Sequence, residues 1–148
     1  MVGYVLLIVI AISVSIMVYV FLRAYVINPP EACDEGVSLI IEEYNCNVSS
    51  NLLSITVRNQ GTHSVDGFMI HGSNESTRWF ALNRVGKDTG GEVYFEGNRL
   101  NASRSRTYVF DYLDDNSVNR LEIKPMQAKR DLIICENAII NQEIQGCN

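Results

Sequence analysis

Two patterns of apolar and polar positions divide this chain. From Met1 to Leu22 no residue is charged; the first basic residue is Arg23 and the first acidic one Glu31. At 1.5 Å per residue, a helix over this run is about 33 Å long, enough for the roughly 30 Å hydrocarbon core of a bilayer. Pro29 and Pro30 lack an N–H donor, and Asn28, ahead of a proline, is pushed toward extended geometry. The helix is therefore expected over 1–27, with a joint at 28–31.

Beyond the joint the apolar positions alternate. Leu53, Ile55 and Val57 interleave with Ser54, Thr56 and Arg58, the signature of a half-buried strand. The same reading predicts strands at 37–46, 52–59, 65–71, 78–82, 92–96, 106–112, 118–124 and 132–144. They are separated by stretches rich in Gly, Asn, Asp and Ser, whose positive φ or local side-chain bonding makes turns. Short strands at this spacing, with no second helix, predict an all-β immunoglobulin-like sandwich over 32–148. The whole is expected to be lollipop-shaped, a hydrophobic helix carrying a β domain.

The helix pattern is unusual for a plain anchor. Val and Ile dominate it, Gly3, Ala11, Ser13 and Ser15 are interspersed, and Tyr4, Tyr19, Phe21 and Tyr25 lie toward its ends. Small residues let helices approach closely, and a helix apolar on every side must be surrounded, by lipid or by copies of itself. A removable signal has a basic leading region, a short apolar core and a small-x-small cleavage site. Here no Lys or Arg leads the run, the run is long, and Arg23-Ala24-Tyr25-Val26 is a poor cleavage site, so the segment is read as retained.

Composition sharpens the second part. The 148 residues carry 17 acidic and 12 basic side chains, a net charge of -5. With no run of Lys and Arg, that balance argues against a nucleic-acid partner. Cys33, Cys46, Cys135 and Cys147 all lie beyond the apolar run and read as two disulfides made in an oxidising compartment. An extended strand between Cys33 and Cys46 exceeds the roughly 7 Å Cα reach of a disulfide, and the same argument disfavours Cys135 with Cys147. If first and last strands are adjacent, parallel alignment joins Cys33 to Cys135 and Cys46 to Cys147; antiparallel alignment joins Cys33 to Cys147 and Cys46 to Cys135. Three sequons, at Asn47, Asn74 and Asn101, offer N-linked glycan sites in expected turns.

Candidate chemistry is sparse. His63 and His71 have no companion ligands at metal spacing, and the expectation is solvent-facing histidines without a metal. The stretch from Gly86 to Gly91, GKDTGG, lacks the phosphate-loop spacing and reads as a glycine-rich hairpin. Asp111 to Asn116 clusters carboxylates but does not match a calcium loop, so a solvated acidic turn is expected. The adjacent Trp79 and Phe80 offer a carbohydrate or protein contact as the functional reading; alternation instead expects one to face the core and the other a neighbour or solvent. No catalytic constellation is present; neither an enzyme nor a cofactor is expected.

An uncharged leading helix, MVGYVLLIVIAISVSIMVYVFLRAYV, a short Pro-containing joint and a sandwich with several sequons together resemble the archaeal type IV pilin superfamily, which includes adhesive pili and archaellins. LSITVRNQGTHSVDGFMI is similar to the second and third strands of those sandwiches. The resemblance implies a structural subunit of an extracellular helical filament, serving adhesion, surface attachment or motility. Its partners would be copies of itself, the membrane before assembly, and N-linked glycans. Gly3, Tyr4, Leu6, Ile10, Ser13 and Met17 would belong to the polymerising helix. It also implies processing by a prepilin peptidase. No Lys/Arg-Gly leader precedes the run, which leaves two expectations, a chain already processed or one that such a peptidase does not handle. Val5 stands where bacterial type IV pilins carry a glutamate, which favours the archaeal branch. The alternative is a single-span anchored extracellular binding or adhesion protein.

Overall fold

The structure, a computed structural model, describes residues 2–27, 33–74, 78–95, 97–112 and 117–147, with helix side chains over 3–23. The expected joint at 28–31 lies outside the described residues. The chain forms two compact units, 1–31 and 32–148.

The first unit is one helix, α1 (Val2–Ile27). β-branched residues are modest helix formers in water, but an apolar run must satisfy its backbone internally, and only a helix does so within one segment.

The second unit is an all-β antiparallel domain, and its chain enters beside Cys33. Its strands are β1 (Leu39–Asn47), β2 (Leu52–Asn59), β3 (Gly67–Ser73), β4 (Trp79–Ala81), β5 (Asn83–Arg84), β6 (Glu92–Tyr94), β7 (Ser105–Asp111), β8 (Arg120–Ala128), β9 (Leu132–Ile134) and β10 (Ile140–Glu143). One sheet has the order β1-β2-β7-β5. The other has the order β10-β8-β3-β4, with β6 also pairing β3 and β9 also pairing β8. Leu53, Ile55 and Val57 are fully buried while Ser54, Thr56 and Arg58 reach the outer face, as the alternation requires.

The two sheets share one core. Phe68 of β3 packs edge-on against Tyr108 of β7 at 5.4 Å between centroids, with Phe95 and Phe110 around it. Such aromatic pairs add about 0.5–1.5 kcal/mol beyond their buried area. Buried Asn59 is fully partnered: its Nδ2 donates to the His63 and Leu100 carbonyls at 2.8 Å, and its Oδ1 accepts from the Gly61 N–H at 2.9 Å.

Several expectations are corrected. The strand expected over 132–144 is two strands broken by a turn at Glu136–Ala138. The cause is Pro125 in β8: β10 pairs β8 up to Ile123 and β9 pairs it from Met126. Between them stands a residue with no N–H to offer a ladder. The expected glycine-rich hairpin is instead a crossover, because β5 pairs β7 in the first sheet and β6 pairs β3 in the second. Gly91, at φ +84°, lies so close to the Ile70 carbonyl that a Cβ would collide with it. Strand β3 begins at Gly67, Val65 making only a bridge to Leu100, and β8 runs from Arg120 on to Ala128. The end of the strand expected at 92–96 and positions 113–116 of the acidic turn lie outside the described residues.

Each disulfide ties the segment around β1 to the segment around β9 and β10. Cys33 pairs with Cys135 and Cys46 with Cys147, at Cα separations of 5.3 and 5.2 Å. This is the pairing of the parallel alternative, but neighbouring strands do not carry it: Cys46 lies in β1, Cys33 precedes β1, Cys135 follows β9 and Cys147 follows β10, and β1 and β10 belong to different sheets. Disulfides of this kind form and persist in oxidising compartments.

Candidate assembly surface on the apolar helix

The most distinctive surface of the chain is α1. Its large apolar side chains from Tyr4 to Leu22 are all exposed, from 42% at Ile8 to 77% at Met17. Moving each of these sixteen side chains out of water is worth about 1 kcal/mol from half-exposure, on the order of 15 kcal/mol together. That rivals the whole net stability of a typical domain, about 5–15 kcal/mol. Residues Gly3–Arg23 suffice in length and composition to cross a membrane.

At 100° per residue, Gly3, Leu6, Ile10, Ser13 and Met17 fall within about 80° of one another. Their alternating three- and four-residue steps are the spacing by which packed helices interdigitate. Tyr4 lies off this stripe, on a second one with Ala11, Ser15, Val18 and Leu22, about 140° around the helix. Each stripe contains small residues, so close approach is open on two sides. A Cβ at Gly3 would meet nothing within 4 Å.

The two hydroxyls on these stripes are already satisfied. Ser13 Oγ donates to the Val9 carbonyl and Ser15 Oγ to the Ala11 carbonyl, each at 2.8 Å. Turned back on the preceding turn, they can enter an apolar environment without stranding a donor. Sequence reasoning named Ser15 among the small residues of the helix but did not resolve the second stripe it belongs to, which follows from the 3.6-residue period.

The sequon asparagines occupy turns or strand ends. Asn47 is exposed at the end of β1, and Asn101 is exposed in a turn closed by the Arg104 N–H on its carbonyl at 3.2 Å. Asn74 is partly exposed immediately after β3, while Glu75 and Ser76 of its sequon lie outside the described residues. Register places Asn47 and Asn74 toward the Cys46–Cys147 end of the domain, and Asn101 toward the Cys33–Cys135 end where the chain enters.

The titratable side chains do not assemble a metal centre: among the described residues no group of three or more His, Cys, Asp and Glu is placed to hold an ion. His63 is exposed, its Nδ1 3.1 Å from Thr62 Oγ1. His71, expected to face solvent, is instead partly buried on the outer face of β3. Burial, then nearby Lys124, lowers its pKa, against the opposing pull of Glu122. Glu122 lies 3.7 Å from His71 Nδ1, too far for a hydrogen bond, and its carboxylate is engaged by Lys124 at 2.8 Å, so the imidazole is neutral at pH 7. Asp34 is held below the ordinary carboxylate pKa chiefly by its bond to Lys129, 2.9 Å away, and is also bonded by Gln127. Of the adjacent aromatics, Phe80 packs against the core and Trp79 remains 38% exposed.

No protein-family model, curated protein or solved structure matches the chain. The functional reading therefore rests on the residues and their geometry.

Proposed function

We propose that the chain is the structural subunit of an extracellular helical filament of the archaeal type IV pilus kind, polymerising through bundled α1 helices. The observation that carries this reading is a helix apolar on every side, with small residues on two stripes and both stripe hydroxyls bonded to its own backbone. A lone anchor needs only to be apolar. A helix packed among several copies also needs close approach on more than one side.

In this reading α1 is held in the membrane before assembly and transfers into a filament core, where each copy meets its neighbours through unlike surfaces and growth is open-ended. The β domain is an immunoglobulin-like sandwich, a description supported by two antiparallel sheets meeting across Phe68 and Tyr108. It forms the outer layer, cross-linked by its disulfides and carrying N-linked glycans at Asn47, Asn74 and Asn101. The role is structural, in adhesion or surface attachment, or in motility, and involves neither catalysis nor nucleic acid.

One observation favours a second reading: Gly3–Arg23 also matches a single bilayer crossing. An anchored adhesion module would use the same segment permanently. Electron microscopy of sheared surface material separates the two. The filament reading expects fibres containing this chain, whereas recovery solely from the detergent-extracted membrane fraction would establish the anchor.

A further inference from the structure

We propose that the outer face of the second sheet carries a sugar-binding groove, in which Trp79 stacks on a pyranose ring and Arg120, Glu122, Asn141 and Glu143 hold its hydroxyls. The groove belongs to the β domain, so the inference does not depend on what α1 does.

Strand register brings the site together. Trp79 of β4, Ser73 of β3, Arg120 of β8 and Glu143 of β10 form one row across the sheet. Two residues along, on the same face, Ala81, His71, Glu122 and Asn141 form the next. Trp79, Arg120, Glu122, Asn141, Gln142 and Glu143 line a groove of about 460 Å³, within the roughly 300–1,000 Å³ of small-ligand sites.

The lining chemistry selects the ligand. A pyranose has an apolar C–H face and a rim of hydroxyls that both donate and accept. An exposed indole covers the first, and planar polar side chains match the second with paired hydrogen bonds. Among the described residues, the Asn141 amide and the Trp79 indole N–H have no side-chain hydrogen-bond partner, so their capacity is unspent. The Arg120–Glu143 pair is long, at 3.4 Å, and well exposed, so it can open around a hydroxyl at little cost. Glu122 is held in place by Lys124 at 2.8 Å. Acidic and basic groups are mixed, which suits a neutral polyol better than a phosphate or a cation.

The sugar has two available sources. Asn74 follows Ser73, the residue paired with Trp79, so a glycan on Asn74 would begin at the end of the groove. The other source is a free or surface-borne saccharide. Trp79 is the chain's one tryptophan, so its emission reports the groove directly.

The test uses the full chain in detergent micelles, glycosylated or carrying Asn74→Gln, titrated with glucose, galactose, mannose, N-acetylglucosamine and their disaccharides, and with glycerol as an acyclic control. We expect a saturable blue shift for at least one sugar, with a dissociation constant of about 1 mM, and none for glycerol. Combined Asn141→Ala and Glu143→Gln should weaken binding at least about tenfold, 1.4 kcal/mol, without moving the unfolding midpoint. Saturation-transfer NMR should put the sugar's C–H face on the indole, and Trp79→Leu should abolish that transfer. If the chain's own glycan fills the groove, the glycosylated chain is already blue-shifted and free sugar binds only to Asn74→Gln. If the ligand comes from outside, both chains bind alike. The proposal is overturned if neither chain responds to any sugar at about 50 mM and their emission is identical, or if binding survives the Asn141 and Glu143 changes undiminished.

Discussion

Removing the disulfides one at a time should reveal that they are interlocked. Taken alone, Cys33–Cys135 and Cys46–Cys147 close loops with sequence separations of 102 and 101. A loop of that size is worth about 4.7 kcal/mol in the chain-entropy model. While one bridge is intact, however, the ends of the other are already tethered. Thirteen residues run from Cys33 to Cys46 and twelve from Cys135 to Cys147, so the remaining loop is about 25 residues. Its closure is worth about 3.5 kcal/mol. Replacing either cysteine pair with serine should therefore cost about 3.5 kcal/mol, and removing the second pair a further 4.7 kcal/mol or so. The combined loss of about 8 kcal/mol would consume most of a typical domain's stability. The assay is guanidinium unfolding of the full chain in detergent, followed by Trp79 emission, with peptide mapping under non-reducing conditions to verify each remaining bridge. Equal costs for the first and second removals, or a first removal costing less than about 1 kcal/mol, would refute the tethered-loop reasoning.

Three further outcomes follow from the same structure. Asn59→Ala strands the His63 carbonyl, while the Leu100 carbonyl keeps the Val65 N–H and the Gly61 N–H keeps the Ser38 carbonyl, and should cost about 1–3 kcal/mol by the same unfolding assay; a loss under about 0.5 kcal/mol would mean that water replaces the amide. Asp34 should titrate below 3.8 by NMR, and Lys129→Met should raise that midpoint; because the folded value is depressed, the stabilisation is present above the unfolded pKa and is lost as pH falls through the folded one, so an unmoved midpoint would count against the Lys129 contact. Ile10→Asp in α1 should abolish filaments under the proposed function by putting an unpaired carboxylate among apolar neighbours, and normal filaments in electron micrographs would contradict that packing.

Sequence was informative wherever one local rule dominated. The absence of charge before Arg23 and the prolines at 29 and 30 marked the helix, and the alternation through Leu53, Ile55 and Val57 marked β2 with its buried face. What escaped it depended on partners distant along the chain. The break between β9 and β10 answers to Pro125 on the neighbouring strand, and the crossover through Gly91 depends on β5 and β6 joining different sheets. Spacing reduced the cysteine pairings to alternatives but assumed neighbouring strands, whereas Cys33, Cys135 and Cys147 lie outside the strands and β1 and β10 belong to different sheets. The stripes on α1 could have been read from the 3.6-residue period. The groove beside Trp79 could not, since Arg120, Glu122, Asn141 and Glu143 meet it only through register across four strands.

The central claim, that α1 is a polymerising helix, is tested most directly by cryo-electron microscopy of filaments sheared from the cells that make this chain. The account predicts a helical reconstruction with Val2–Ile27 bundled along the axis, copies contacting both small-residue stripes, and the β domains outermost. A chain recovered solely as a single membrane span, with no filament containing it, would contradict the account.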